Sequence, residues 1–220
     1  MKSETSNNLA YLEFLRDIYE VSVACSTKTY IWGGFTHDIF EGEFIRDHGD
    51  LDGFTENMMS VLDDLISNYK NRGYTTEFKN NINMLVIRRD GLHAAFNSLD
   101  VDESVAMWRH IGNHGTVYFP YKWLDDTPRD FYDVKVYTSG IYFEYGFRKI
   151  AKSINPDWKA EREKDKITID YLQRKLDEIG IDPKTILRSI WSYNPIWIKK
   201  GYDPFDIPVL VCPLVSDHDN

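Results

Sequence analysis

The chain has 220 residues, 42% of them apolar and 15% aromatic, with a formal net charge of −9. Its length fits one large domain or two small ones, and its apolar content excludes an intrinsically disordered chain. The acidic balance argues against a general nucleic-acid binder, which needs a basic face, and gives weak support to a cationic small-molecule partner.

The polar N-terminus, residues 1 to 8, lacks the apolar core of a secretion signal. Leu9, Leu12, Leu15, Ile18 and Val21 recur at helical spacing and predict an amphipathic helix over residues 8 to 24, capped by Asn7 or Asn8. Thr29 to Trp32 reads as a buried strand running into Gly33-Gly34, and residues 35 to 40 as a short helix. His37 and Asp38 lie on that helix, with Asp38 facing solvent on the simpler reading and the phosphates on the other. After Gly42 and Arg46 comes an alternating stretch in which His48, Asp50 and Asp52 are separated by single residues. Read as a strand, it puts the imidazole and both carboxylates on one face.

Two parallel carboxylates make a poor core but a good platform for Mg²⁺, which takes one or two of them and leaves its other positions to water and phosphate oxygens. Paired glycines let backbone approach a ligand closely, and the helix after them offers unpaired N–H groups to an anion. A phosphate cradle and a metal platform so close in sequence predict a site for a nucleoside triphosphate. Taken singly, an Asp-x-Asp pair is more often a solvated turn, and a lone Gly-Gly is a weaker signal still.

Beyond this stretch, Met58, Val61, Leu62, Leu65, Ile66 and Tyr69 predict a helix over residues 57 to 71, ended by Arg72-Gly73. Extended segments follow at 74 to 79, 83 to 89 and 91 to 99, with Asp90-Gly91 as a hairpin turn between the last two. Further strands are expected at 105 to 110, 116 to 120 and 131 to 137. Helices are expected at 141 to 154 and from about 158 to 179, separated by Asn155-Pro156-Asp157. The charges between Glu161 and Lys166 read as a solvated face, and Lys149 and Lys164 as solvent-facing or, less simply, as reaching a phosphate. The tail from Trp191 is rich in aromatics and prolines, and reads as a strap over the helical region or, less simply, as a substrate wall. His110 and His114 are four apart, but the glycines around them argue against a helical metal pair.

Cys25 and Cys212 do not make a disulfide scaffold, and they fit a reducing cytoplasm. No apolar run reaches the length of a membrane span, so the expected protein is soluble and cytoplasmic, with no membrane partner.

The order strand, Gly33-Gly34, short helix, Gly42, Arg46, His48-x-Asp50-x-Asp52 resembles the nucleotidyltransferase superfamily with the DNA polymerase β-like fold, above all its lincosamide- and aminoglycoside-modifying branch. The resemblance covers residues 30 to 100 firmly and 115 to 176 loosely, the latter through Lys164-Asp165, Asp170 and Leu172. It implies an α+β fold, a mixed β-sheet flanked by helices, with residues 1 to 138 as the nucleotidyltransferase domain and 139 to 220 as a C-terminal helical region. It implies transfer of a nucleoside monophosphate, AMP from ATP, to a hydroxyl of a small molecule, with Mg²⁺ on Asp50 and Asp52. Gly33, Gly34, Arg46 and His48 would bind the nucleotide. No nucleic-acid partner is implied, and a homodimer is left open.

The third carboxylate of the family has no counterpart here: the aligned segment from Gly91 to Phe96 puts His93 at its place. Three readings stand. His93 replaces the carboxylate as base, since an imidazole can accept a hydroxyl proton at neutral pH. Or a neighbouring acid such as Asp100 reaches in through a register shift. Or the protein is a degenerate nucleotide-binding or interaction module.

Overall fold

The computed structural model describes residues 6–111, 115–154 and 163–193. Its elements in chain order are α1 (Ser6–Ala24), β1 (Thr29–Trp32), α2 (Gly34–Glu41), β2 (Leu51–Glu56), α3 (Leu62–Asn71), β3 (Thr75–Lys79), β4 (Met84–Arg89) and β5 (Leu92–Val101). Then come β6 (Val105–Ile111), β7 (Gly115–Pro120), β8 (Arg129–Phe131), β9 (Val134–Thr138), α4 (Ile141–Ile154), α5 (Glu163–Glu178), α6 (Pro183–Leu187) and β10 (Trp191–Tyr193).

The chain forms two compact units. The first contains Met1–Val101 and Leu124–Ser139, and the second Asp102–Trp123 and Gly140–Asn220. Residues 102–123 therefore group with the C-terminal part of the chain, whereas the sequence suggested a single cut after residue 138.

In the first unit the strands run in the order β3, β4, β5, β2, β1, β9, β8. The β2–β5 and β1–β9 pairs are parallel and the others antiparallel, so the sheet is mixed. Strand alternation sends Ile31, Leu51, Leu85, Ile87, Ala94 and Phe96 into one core with Tyr11, Phe14, Leu15, Ile18 and Val21 of α1 and Leu65 and Tyr69 of α3. The buried stripe of α1 thus runs through Tyr11 and Phe14, while Leu9, expected in the stripe, is 52% exposed. Asp90 (φ 53°) and Gly91 (φ 81°) make the expected tight turn between β4 and β5.

Two expected elements divide. The helix foreseen over 57 to 71 is a 3₁₀ turn at Met58–Ser60 followed by α3. The strand foreseen over 131 to 137 is a hairpin, β8 and β9, turned by Tyr132 in the left-handed region (φ 52°). A tyrosine there gave no turn signal to read.

In the second unit β6, β7 and β10 form an antiparallel sheet. Its core is aromatic: Phe143 lies 4.6 Å from Phe119 and stacks on Phe147 at 5.5 Å, and Phe147 lies 5.3 Å from Trp108. The helix expected from 158 is described only as α5. The tail after Tyr193, with Cys212, and the position of His114 lie outside the described residues. No described helix is long and apolar enough to cross a membrane.

Candidate active site

Each predicted site residue lies in the first unit. Gly33 ends β1 at φ 84°, a conformation that L side chains rarely adopt, and α2 begins at the next residue. Thr36 Oγ1 closes this turn by donating to the Gly33 carbonyl at 2.7 Å. A Cβ placed on Gly33 would lie 3.7 Å from Asp52 Oδ2, so bare backbone faces that carboxylate. Gly34 is open for a different reason. The Arg46 guanidinium lies against it, where a Cβ would sit, and His48 Nδ1 would be 3.6 Å from the same Cβ. The half-buried Arg46 side chain makes no ion pair among the described residues, and it sits at the N-terminal end of α2, where unpaired N–H groups favour an anion.

Strand β2 begins at Leu51, so His48 and Asp50 precede it and the strict alternation expected of His48, Asp50 and Asp52 does not extend to the imidazole. Gly49, in a bend, interrupts it. His48 is instead buried: its ring stacks on Phe35 at 3.9 Å, and its Nε2 lies 2.8 Å from Asp38 Oδ2. Asp38, expected in solvent, is fully buried and also accepts the Ile45 N–H at 3.3 Å. An imidazole without an acceptor could not fill this interior place, so the acid turns inward. Asn8 Nδ2 of α1 donates to the Arg46 carbonyl at 2.9 Å and braces the loop from outside α2.

Parallel pairing sets Leu51 opposite Ala94, Asp52 opposite Ala95 and Gly53 opposite Phe96. His93 therefore stands level with Asp50 and shares the face of Asp52, while the position directly beside Asp52 is an alanine. Asp100 is five residues further along β5 and, by alternation, on the opposite face, so no register shift brings it to the pair. Asp50 is exposed and His93 half-buried, and neither side chain has a hydrogen-bond partner among the described residues.

Among the described residues no three His, Cys, Asp or Glu side chains converge as a metal cage. The donor set still fits Mg²⁺: two carboxylates offer only oxygen, and such an ion leaves its other positions to water and phosphate oxygens.

Asp38 and Asn8 were missed as contributors in the sequence. Asp38 had a signal, its place four residues after Gly34 in a helix whose other face is apolar. Asn8 had none, because its contact with Arg46 spans 38 residues.

Fold and site geometry together define a class: the chain has the nucleotidyltransferase fold. It is similar to the solution structure of ANT(2'')-Ia, an antibiotic-resistance factor, with a TM-score of 0.58 at 13% identity over 88% of this chain and 94% of that one. It is similar also to the lincosamide antibiotic adenylyltransferase LnuA in its lincomycin-bound form, with a TM-score of 0.51 at 14% identity over 77% of this chain and 96% of that one. A crystal structure of ANT(2'')-Ia with adenylyl-2''-tobramycin gives 0.52 at 11% identity, over 77% and 98%. No protein-family model and no curated protein matches the sequence.

Proposed function

We propose that this chain is a metal-dependent nucleotidyltransferase that moves a nucleoside monophosphate, AMP from ATP, to a hydroxyl of a small molecule. The observation that carries the reading is the pairing of Arg46, a guanidinium without an acid partner among the described residues, with the start of α2, next to the bare Gly33 backbone that faces Asp52. A cation, a helix terminus and carboxylates close together support the reading of a site for a triphosphate with its metal.

In this reading Asp50 and Asp52 hold Mg²⁺, which when bound supplies neutralisation of the triphosphate charge. Gly33, Gly34, Arg46 and the first N–H groups of α2 bind the β- and γ-phosphates. His48 contributes as the buried support of Arg46 and Gly34. The acceptor oxygen attacks the α-phosphorus, the bond to pyrophosphate breaks, and the hydroxyl proton passes to His93, which stands level with Asp50. An aminoglycoside or lincosamide acceptor is supported by the ligands of the similar structures, adenylyl-2''-tobramycin and lincomycin, and the former by the net charge of −9.

Ala95 beside Asp52 favours a second reading, a nucleotide-binding module of the same fold without transfer. Incubation with ATP, Mg²⁺ and a panel of hydroxyl acceptors separates the two. Pyrophosphate release on any acceptor supports the enzyme. ATP binding with no pyrophosphate on every acceptor supports the module.

A further inference from the structure

The segment after α2 turns back so that the Arg46 guanidinium lies against Gly34, at the start of that helix. Its residues 44, 45 and 46 each have a backbone group held by a side chain from a different element. The Phe44 N–H donates to the Tyr132 hydroxyl at 3.2 Å and the Ile45 N–H to Asp38 Oδ2 at 3.3 Å. The Arg46 carbonyl accepts from Asn8 Nδ2 at 2.9 Å. Asp38 belongs to α2 and Asn8 to α1, whereas Tyr132 comes from the β8–β9 turn, 88 residues along the chain from Phe44.

Aromatic packing reinforces the Tyr132 contact. Its ring stacks on Phe44 at 5.3 Å, and Phe44 also meets Phe131 edge-on at 5.1 Å and Phe35 of α2 at 6.4 Å. Phe44 is only 1% exposed. Arg129 of β8 lies 5.0 Å over the Phe40 ring, so the hairpin grips the end of α2 as well.

Tyr132 holds this place against strain. Its φ of 52° lies in the left-handed region, where a bulky side chain is an outlier. The other non-glycine residues there, among those described, are Ser26, Asn57, Asn83 and Asp90, all small and polar. Such strain persists only where the surroundings over-determine it, and it gathers where the side chain has a task. Tyr132 is 42% exposed, so burial of apolar surface does not by itself account for a tyrosine at this turn.

We propose that Tyr132 is a positioning residue for Arg46: its hydroxyl and ring fix residues 44 to 46, so that the guanidinium stands at the start of α2 before a triphosphate arrives. This rests on the reading of Arg46 as a phosphate ligand. A guanidinium on an ordered frame loses less freedom on binding than one on a loose loop, and affinity rises accordingly. The β8–β9 hairpin, distant in sequence from the Gly33 turn, then belongs to the nucleotide site.

Tyr132→Phe keeps the ring and removes only the accepting oxygen. The test is calorimetric titration of ATP with Mg²⁺ into the parent, Tyr132→Phe, Arg46→Ala and the double variant. We expect Tyr132→Phe to bind roughly 3–10-fold more weakly, the worth of one hydrogen bond in ordering the loop. Arg46→Ala should bind more weakly still. The double variant should bind no more weakly than Arg46→Ala, because Tyr132 acts only through Arg46. A tyrosine with a merely structural role would add its own loss in the double variant, and that result would overturn the proposal. Parent-like affinity in Tyr132→Phe beside a loss in Arg46→Ala would overturn it too, leaving Tyr132 a packing residue. Parent-like affinity in Arg46→Ala would instead remove the phosphate assignment of Arg46, and the proposal with it.

Discussion

His48 Nε2 lies 2.8 Å from Asp38 Oδ2, and neither side chain is open to solvent, at 4% and 0% exposed. The same carboxylate oxygen accepts the Ile45 N–H, so one acid ties α2 to the loop that carries Arg46 and leads to Asp50. Removing it leaves a buried imidazole and a backbone N–H without their acceptor. Asp38→Ala should therefore destabilise the protein by about 1–3 kcal/mol, and Asp38→Asn by less, since an amide oxygen can still accept. Urea unfolding checks this, and an unchanged midpoint in Asp38→Ala would show that the pair carries no stability.

A second network gives a dependence on pH. Asp17 of α1 accepts hydrogen bonds from Arg72 at 2.6 Å, Tyr74 at 2.7 Å and Arg89 at 2.8 Å. Glu20 and Glu13 complete the network on the same two arginines. Burial alone would raise the Asp17 carboxyl, but the Tyr74 hydroxyl and the two guanidinium groups outweigh it and hold the group below its ordinary value. A depressed folded value means extra stability that is present above the unfolded value, near pH ~4, and is lost as pH falls through the folded one. Asp17→Asn should flatten the acid limb of the stability profile. An acid limb of unchanged slope would contradict the assignment.

Gly34 and Arg46 should act as one unit. A Cβ on Gly34 would displace the guanidinium, so on the proposed function Gly34→Ala and Arg46→Ala would each remove the same phosphate contact. Each should weaken ATP binding by roughly 1.5–3 kcal/mol, the worth of a hydrogen bond to a charged group, and the double variant by little more than either. Fully additive losses would separate the two residues.

The architecture was legible because strand and helix periods are local. The Gly33-Gly34 turn, α2, α3 and the β4–β5 hairpin all follow from residues close together in the chain. The orientation of Asp38 was not legible, because a carboxylate at an interior helix position turns inward only when its partner arrives from the next loop. The grouping of residues 102–123 with the C-terminal part was equally hidden, since the aromatic contacts of Trp108, Phe119 and Trp123 are with α4, which begins at Ile141. Strand alternation was over-extended to His48, where Gly49 bends the chain.

His93 is the position at which the two functional readings diverge. If it accepts the hydroxyl proton, His93→Ala should lower the rate of transfer by roughly 10²–10⁴-fold, and His93→Asp should retain transfer by placing a carboxylate level with Asp50. Unchanged rates in both variants would remove His93 from the reaction.

The central claim is that Asp50 and Asp52 hold the metal of a nucleoside triphosphate. Calorimetric titration of ATP, with and without Mg²⁺, into the parent, Asp50→Asn and Asp52→Asn tests it most directly. The account predicts Mg²⁺-dependent binding by the parent and its loss in each variant. Neither variant should be destabilised, because relieving repulsion between neighbouring acids does not weaken a fold. Mg²⁺-dependent binding of unchanged affinity in both variants would contradict it.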